Sequence, residues 1–246
     1  MNEHNWQNLS EEFLYSQPFN HVVIDNFFEE TEALNIYNSM PDYDGVDIKY
    51  HNLIEIKGAE QSWYKFTPQV YSALHKLCNR SFVDNLRIIT NQPELDADYG
   101  LHGAGIHILK KDSYLNVHQD YIIHPKLLMK RKLNLIVYMT PNWEESWGGC
   151  LELWSNDRTT NQPDKCIKKI VPMFNRAVIF DTTQNSWHGV PGPISPPDGV
   201  YRKSLAMYYL IPTDDVGGRK KAMFSPRENQ KDNKEVLDFI KKRMES

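Results

Sequence analysis

Two stretches of this chain alternate apolar and polar residues with a period of two, the pattern of a strand with one face in a core and one outside it. In 202–210, Leu205, Met207 and Tyr209 oppose Arg202, Ser204, Ala206 and Tyr208. In 132–140, Leu133, Leu135, Val137 and Met139 oppose Lys132, Asn134, Ile136 and Tyr138. Six further short runs separated by turn residues, 104–110, 115–121, 149–154, 165–172, 175–181 and 186–191, complete eight predicted strands. Pro141-Asn142, Gly148-Gly149, Asn156-Asp157 and the stretch PGPISPPDG at 191–199 supply the turn chemistry between them. Such a series predicts an antiparallel sandwich or barrel.

Ahead of these strands the period lengthens. Residues 29–40 place Ala33, Leu34, Tyr37 and Met40 at helical spacing after an acidic first turn, following a short strand at 21–25. Residues 67–83 predict a second helix with Val70, Leu74, Leu77 and Cys78 on one face and Pro68 just inside its start. A third, 234–244, carries Val236, Leu237 and Ile240. The opposed strand faces admit two readings, a sheet with one wet surface or a sheet whose apolar face is covered by helices while its polar face lines a pocket. The histidine motif described next favours the pocket.

With 246 residues, 40% hydrophobic and 24% charged, the chain has the composition of a globular domain with a sizeable core. Its net charge of −4 gives no overall sign of a nucleic-acid or anionic-membrane binder. Three cysteines with no CxxC pair argue against a disulfide framework or zinc knuckle, so a reducing, cytoplasmic setting is expected. No secretion signal and no membrane span are expected.

Of the nine histidines, His4, His21, His51 and His75 are isolated, and His102 and His107 are read as structural. His118-Gln119-Asp120 differs, because an i, i+2 pair at a strand end projects an imidazole and a carboxylate to one side. His188, in SWHGV, supplies a third donor 68 residues after Asp120. Two histidines and one carboxylate make the facial set that leaves open positions on Fe(II). Arg202-x-Ser204 follows fourteen residues later.

The order and spacing of HQD at 118–120, the run 134–154, NRAVIFD at 175–181, WHGV at 187–190 and RKS at 202–204 resemble the iron(II)- and 2-oxoglutarate-dependent dioxygenases, in their prolyl-4-hydroxylase-like branch. FNHVVIDNFF and the segment around FSPRENQ extend the likeness over most of the chain. The resemblance implies a mainly β fold with flanking helices: a double-stranded β-helix, or jelly roll, of eight strands with N-terminal helices on one sheet. Region 1–102 would be supporting, 103–211 the catalytic core and 212–246 an extension, in one structural domain.

It further implies that His118, Asp120 and His188 hold iron, that Arg202 binds the distal carboxylate of 2-oxoglutarate, and that Ser204 and Tyr138 add hydroxyls there. The cofactors would be Fe(II), 2-oxoglutarate and O₂, with ascorbate keeping the iron reduced. Relatives often carry a tyrosine about ten residues before the first ligand, where Ile108 stands here.

The implied activity is prolyl-hydroxylase-like hydroxylation of a C–H bond, in a prolyl or other residue of a peptide or protein, with release of succinate and CO₂. A small-molecule hydroxylase of an amino acid, sugar or metabolite is the alternative, and a non-catalytic binding module is opposed by the intact triad and Arg202. No nucleic-acid or membrane partner is expected, and the sequence leaves the oligomeric state open. Trp147 and Trp154 read as packing residues. His124 reads as a loop residue that touches substrate or faces solvent. Lys126, Lys130, Arg131 and Lys132 read as a solvated basic patch, with a role toward an anionic substrate as the alternative.

Overall fold

The fold follows from a division of labour between the two faces of one long, curled sheet. The computed structural model describes residues 2–215 and 217–245. Among the described residues there are thirteen strands: β1 (His21–Ile24), β2 (Ile48–His51), β3 (Glu55–Glu60), β4 (Asp96–Ala97), β5 (Gly105–Leu109), β6 (Tyr114–Gln119), β7 (Lys130–Tyr138), β8 (Leu151–Asp157), β9 (Gln162–Ile170), β10 (Arg176–Asp181), β11 (Trp187–Val190), β12 (Arg202–Ile211) and β13 (Met223–Phe224). Five α-helices accompany them: α1 (Trp6–Tyr15), α2 (Glu30–Ser39), α3 (Pro68–Cys78), α4 (Arg80–Thr90) and α5 (Lys234–Glu245).

All pairings are antiparallel, in the order β1-β10-β7-β12-β5-β3-β6-β11-β8-β9. The eight strands expected from the sequence are β5 to β12. The strands of region 1–102 do more than support them: β1 pairs with β10, β4 with β12, and β3 bridges β5 and β6. Because the sheet turns over on itself at β5-β3-β6, β6 and β11 come to face β7 and β12. Contacts between Asp120 and both Asn134 and Tyr208 record this closure.

The apolar faces of β7 and β12 pack outward onto the helices. Leu133, Leu135, Val137, Met139, Leu205, Met207 and Tyr209 share one core with Leu74, Leu77, Phe82 and Leu86. Fully burying one such leucine contributes about 1.5–3 kcal/mol. Tyr209 satisfies its buried hydroxyl on the carbonyl of Leu77 at 3.0 Å. A smaller core of Leu151, Leu153, Ile170, Tyr138, Val178 and Phe180 fills the space between the two halves of the sheet at one end.

The predicted helix over 67–83 is interrupted. Thr67 caps α3 through the Val70 amide, but Asn79 takes an extended conformation and caps a separate α4 through Ser81. An asparagine side chain competes with the helical backbone for hydrogen bonds, and here it starts a new helix. Leu86 and Ile89 then extend the apolar cover beyond the predicted end.

Candidate metal and cosubstrate site

His118 lies near the end of β6 and His188 on β11, and the two are direct cross-strand partners. Their rings are 4.4 Å apart between centroids. Asp120, just past the end of β6, brings its carboxylate to 3.6 Å from His118 Nε2 and 3.9 Å from His188 Nε2. One donor atom from each of the three buried residues lies within 4.8 Å of the others.

Each imidazole is fixed through its other nitrogen. His118 Nδ1 lies 2.9 Å from the carbonyl of Asn116, and His188 Nδ1 lies 2.8 Å from that of Ser186. A carbonyl can only accept, so Nδ1 carries the proton and Nε2 presents its lone pair to the centre. Phe224 on β13 stacks on His118 at 5.2 Å, and Phe180 packs on His188 at 4.6 Å.

Burial and the neighbouring His118 push His188 down to about 4, which keeps it neutral near pH 7. Burial opposes the Asp120 charge, but the polar groups around it, His118 first and then His188 and Arg131, hold this carboxyl well below its usual range. The Tyr208 hydroxyl donates to Asp120 Oδ2 at 2.9 Å, and Asn134 Nδ2 does so at 3.3 Å. Two imidazoles with oriented Nε2 atoms and one oriented carboxylate suit Fe(II), and three protein donors leave coordination positions open.

Arg202 sits at the start of β12, only 4% exposed. Its Nε donates to the Gly149 carbonyl at 2.8 Å, and its guanidinium carbon lies 4.7 Å from the centre of the Tyr138 ring. It forms no ion pair among the described residues. The Tyr138 hydroxyl is buried without a partner of hydrogen-bonding geometry. An unpaired buried guanidinium beside a phenol is a receptor for a carboxylate.

Ser204 is the cross-strand partner of both Tyr138 and His107, so these three residues form one row across β7, β12 and β5 on the pocket side. His107, read from the sequence as structural, therefore faces inward. Ile108, compared above with the tyrosine of relatives, points instead into the helical core. Burial, with the Lys57 charge acting the same way, pushes the His107 imidazole down to about 3.

The basic patch expected at 126–132 is taken apart by the fold. A bulge in the β7–β12 pairing lets Leu210 face Arg131 where strict alternation would have Lys132. Arg131 therefore joins Asn134 on the pocket face, 1% exposed, with its guanidinium 3.9 Å from the Tyr121 ring centre and 3.8 Å from that of Tyr208. It donates to the carbonyl of His102. Lys132 turns away to Asp181 at 2.6 Å.

His124 neither touches solvent nor reaches into the cleft. Its Nδ1 accepts the amides of Lys126 and Leu127, so Nε2 carries the proton, 3.3 Å from buried Asp98. Trp154 bonds to Glu152 and Trp147 packs edge-on against Trp143, both as packing residues.

A sequence model of the 2OG-Fe(II) oxygenase superfamily matches residues 104–229, slightly more than half of the chain. The chain belongs to this superfamily. Among curated proteins, mouse prolyl 3-hydroxylase OGFOD1 is 26% identical over 203 residues, covering 80% of this chain and 33% of that protein. The Xenopus laevis protein of the same name is 26% identical over 206 residues, covering 80% and 36%. This chain thus spans about a third of the length of the curated relatives it matches.

Among solved structures, a Pseudomonas putida prolyl-4-hydroxylase superposes with a TM-score of 0.56 at 15% identity, covering 82% of this chain and 98% of that one. HygX from Streptomyces hygroscopicus, with nickel, 2-oxoglutarate and hygromycin B bound, gives 0.55 at 12% identity, covering 83% and 87%. These likenesses show the shared jelly-roll fold. Iron and 2-oxoglutarate are the cofactors of the superfamily, and the donor set described above fits both.

Proposed function

We propose that this chain is an Fe(II)- and 2-oxoglutarate-dependent dioxygenase that hydroxylates a prolyl C–H bond in a peptide. The observation that carries the reading is the pairing of two features inside one sheet: a His118–Asp120–His188 donor set with oriented Nε2 atoms, and the unpaired, buried Arg202. The prolyl preference is supported by the names of the relatives. When bound, the iron, with 2-oxoglutarate and O₂, supplies the oxidising equivalents that place one oxygen in the substrate while succinate and CO₂ leave.

The protein's own contribution is positional. His118, Asp120 and His188 hold the iron, and Tyr208 and Asn134 keep Asp120 turned toward it. Arg202 grips the distal carboxylate of 2-oxoglutarate, with Tyr138 and Ser204 offering hydroxyls beside it. His107, neutral in the row with Ser204, would face the bound cosubstrate without adding charge. Buried Phe180, Leu151 and Leu153 keep water from that end of the site.

In this reading 103–211 forms the catalytic core, and Phe224 from the extension closes over His118. Three free cysteines suit a reducing, cytoplasmic setting, in which iron stays ferrous. Among the described residues, no helix is long and apolar enough to cross a membrane. The test incubates iron-loaded protein with 2-oxoglutarate and either proline-containing peptides or a metabolite pool, reading succinate and substrate mass. Peptide-stimulated succinate with a 16 Da gain on proline, the mass of one inserted oxygen, is expected. Stimulation by metabolites alone would assign a small-molecule substrate, and no stimulation by either would reject the reading.

A further inference from the structure

His118 and Asp120 form part of the wall of a cleft of about 520 Å³. Six cations line the same cleft: Lys57 from β3, Lys126 from the loop after β6, Arg131 from β7, Lys220 and Lys221 from the segment before β13, and Arg243 from α5. Five separate parts of a chain whose net charge is −4 thus bring positive charge to one opening. Besides Asp120, the only lining carboxylate among the described residues is Glu55, 3.5 Å from Lys57 and 3.8 Å from Arg243. Lys126, Lys220 and Lys221 form no ion pair among the described residues. A concave, low-dielectric wall carrying one sign of charge focuses its field into the cleft and attracts ligands of the opposite sign.

Leu127 and Leu128, next to Lys126 on the same loop, are 53% and 60% exposed. Cations in the cleft with exposed leucines beside Lys126 fit a peptide with acidic and hydrophobic side chains. The compact opening favours this over a nucleic acid, whose phosphates would need cations strung along an extended track. This inference rests on the reading of the site as a peptide hydroxylase centre.

We propose that the cleft selects an acidic peptide segment. The residue to be oxidised reaches the wall formed by His118 and Asp120, while neighbouring aspartate or glutamate side chains meet Lys126, Lys220 and Lys221 at the rim.

The test uses Mn(II)- and 2-oxoglutarate-loaded protein and three fluorescein-labelled probes read by anisotropy. They are a peptide with a central proline flanked by glutamates, the same peptide with glutamines, and a single-stranded oligothymidylate. At low salt the acidic peptide is expected to bind about tenfold more tightly than its glutamine counterpart, a preference that fades as salt rises past roughly 0.1 M. In the combined Lys126→Ala, Lys220→Ala, Lys221→Ala variant it is expected to shrink to about twofold. The single reversal Lys221→Glu gives an independent check that perturbs the surface less.

Equal affinity of the wild type for the two peptides would overturn the proposal, as would tighter binding of the oligothymidylate than of the acidic peptide. A parallel Mn(II) titration separates the two levels of the argument. Tight Mn(II) binding with no charge preference overturns the acidic-peptide inference alone, whereas absent Mn(II) binding overturns the reading beneath it as well.

Discussion

Arg202 offers the sharpest test of the cosubstrate end, because its two effects run in opposite directions. The guanidinium is buried, bonded to the Gly149 carbonyl, close to the Tyr138 ring and lacking an ion-pair partner among the described residues. Replacing an unpaired buried charge by an apolar side chain of similar length removes a desolvation cost, so in Arg202→Met the ligand-free protein should stay within about 1 kcal/mol of wild type or become more stable. Binding of 2-oxoglutarate should suffer instead. Loss of a charge-assisted pair costs about 1.5–3 kcal/mol, a ten- to hundredfold rise in Kd. At a concentration one hundred times the wild-type Kd, 2-oxoglutarate stabilises the wild type by about 2.7 kcal/mol, whereas a hundredfold weaker variant gains only about 0.4 kcal/mol. Calorimetric titration of 2-oxoglutarate into Mn(II)-loaded protein, with thermal melts at that concentration, reads both numbers. Arg202→Lys should fall between, since it keeps the charge and loses the planar fork. Wild-type affinity in Arg202→Met would refute the assignment.

Three further outcomes are expected. His118→Ala, Asp120→Ala and His188→Ala should each lose tight Mn(II) binding, measured by the free-Mn(II) spectrum in electron paramagnetic resonance, while far-ultraviolet circular dichroism stays native. Gly189→Ala should lower the melting temperature and weaken Mn(II) binding together, because the new Cβ would lie 2.9 Å from backbone atoms of Leu115, Asn116 and Val117 and force β11, with His188, away from β6. Such overpacking costs about 1–3 kcal/mol. His107 has an ordinary value of 6.5 and about 3 in the fold, so the unfolded chain takes up its proton first. This group's share of stability is full above pH 6.5 and is lost at about 1.4 kcal/mol per pH unit as pH falls toward 3. Urea melts of ligand-free protein at pH 7 and pH 5 should therefore show a smaller loss in His107→Gln than in wild type.

The readability of the sequence varied with the kind of order each part expresses. The donor set was legible because i, i+2 spacing on a strand and a distant histidine are local signatures, and the opposed faces of β7 and β12 were legible because alternation is strict there. The strands β2 and β3 escaped notice: Lys57-Gly58-Ala59 has little side-chain pattern, and β3 is placed by pairing with β5 and β6. Helix α1 was missed because only Phe13 of its residues is buried, leaving a weak apolar stripe. The faces taken by His107 and Ile108 were not legible, since each depends on register with Ser204 and Lys203 across the sheet. Lys220 and Lys221 lie about a hundred residues from His118 and share its cleft only after the chain closes.

The β7 bulge shows why such residues resist prediction and what the fold gains from them. Strict alternation would send Lys132 inward with Asn134, and a flexible ammonium would have to be held near Asp120. The extra residue instead sends Lys132 to Asp181 and brings Arg131 inward between Tyr121 and Tyr208. Both buried arginines of this sheet thus lie against aromatic faces, which offset part of the cost of removing a guanidinium from water. They differ in what else balances them. Arg131 is close enough to Asp120 to help keep that carboxylate ionised, so its charge already has a use in the protein alone. Arg202 has a backbone carbonyl and a phenol but no anion among the described residues. The cation whose charge the protein leaves unbalanced is the one positioned to take a carboxylate from outside, and the separation of these two roles rests on a single inserted residue in one strand.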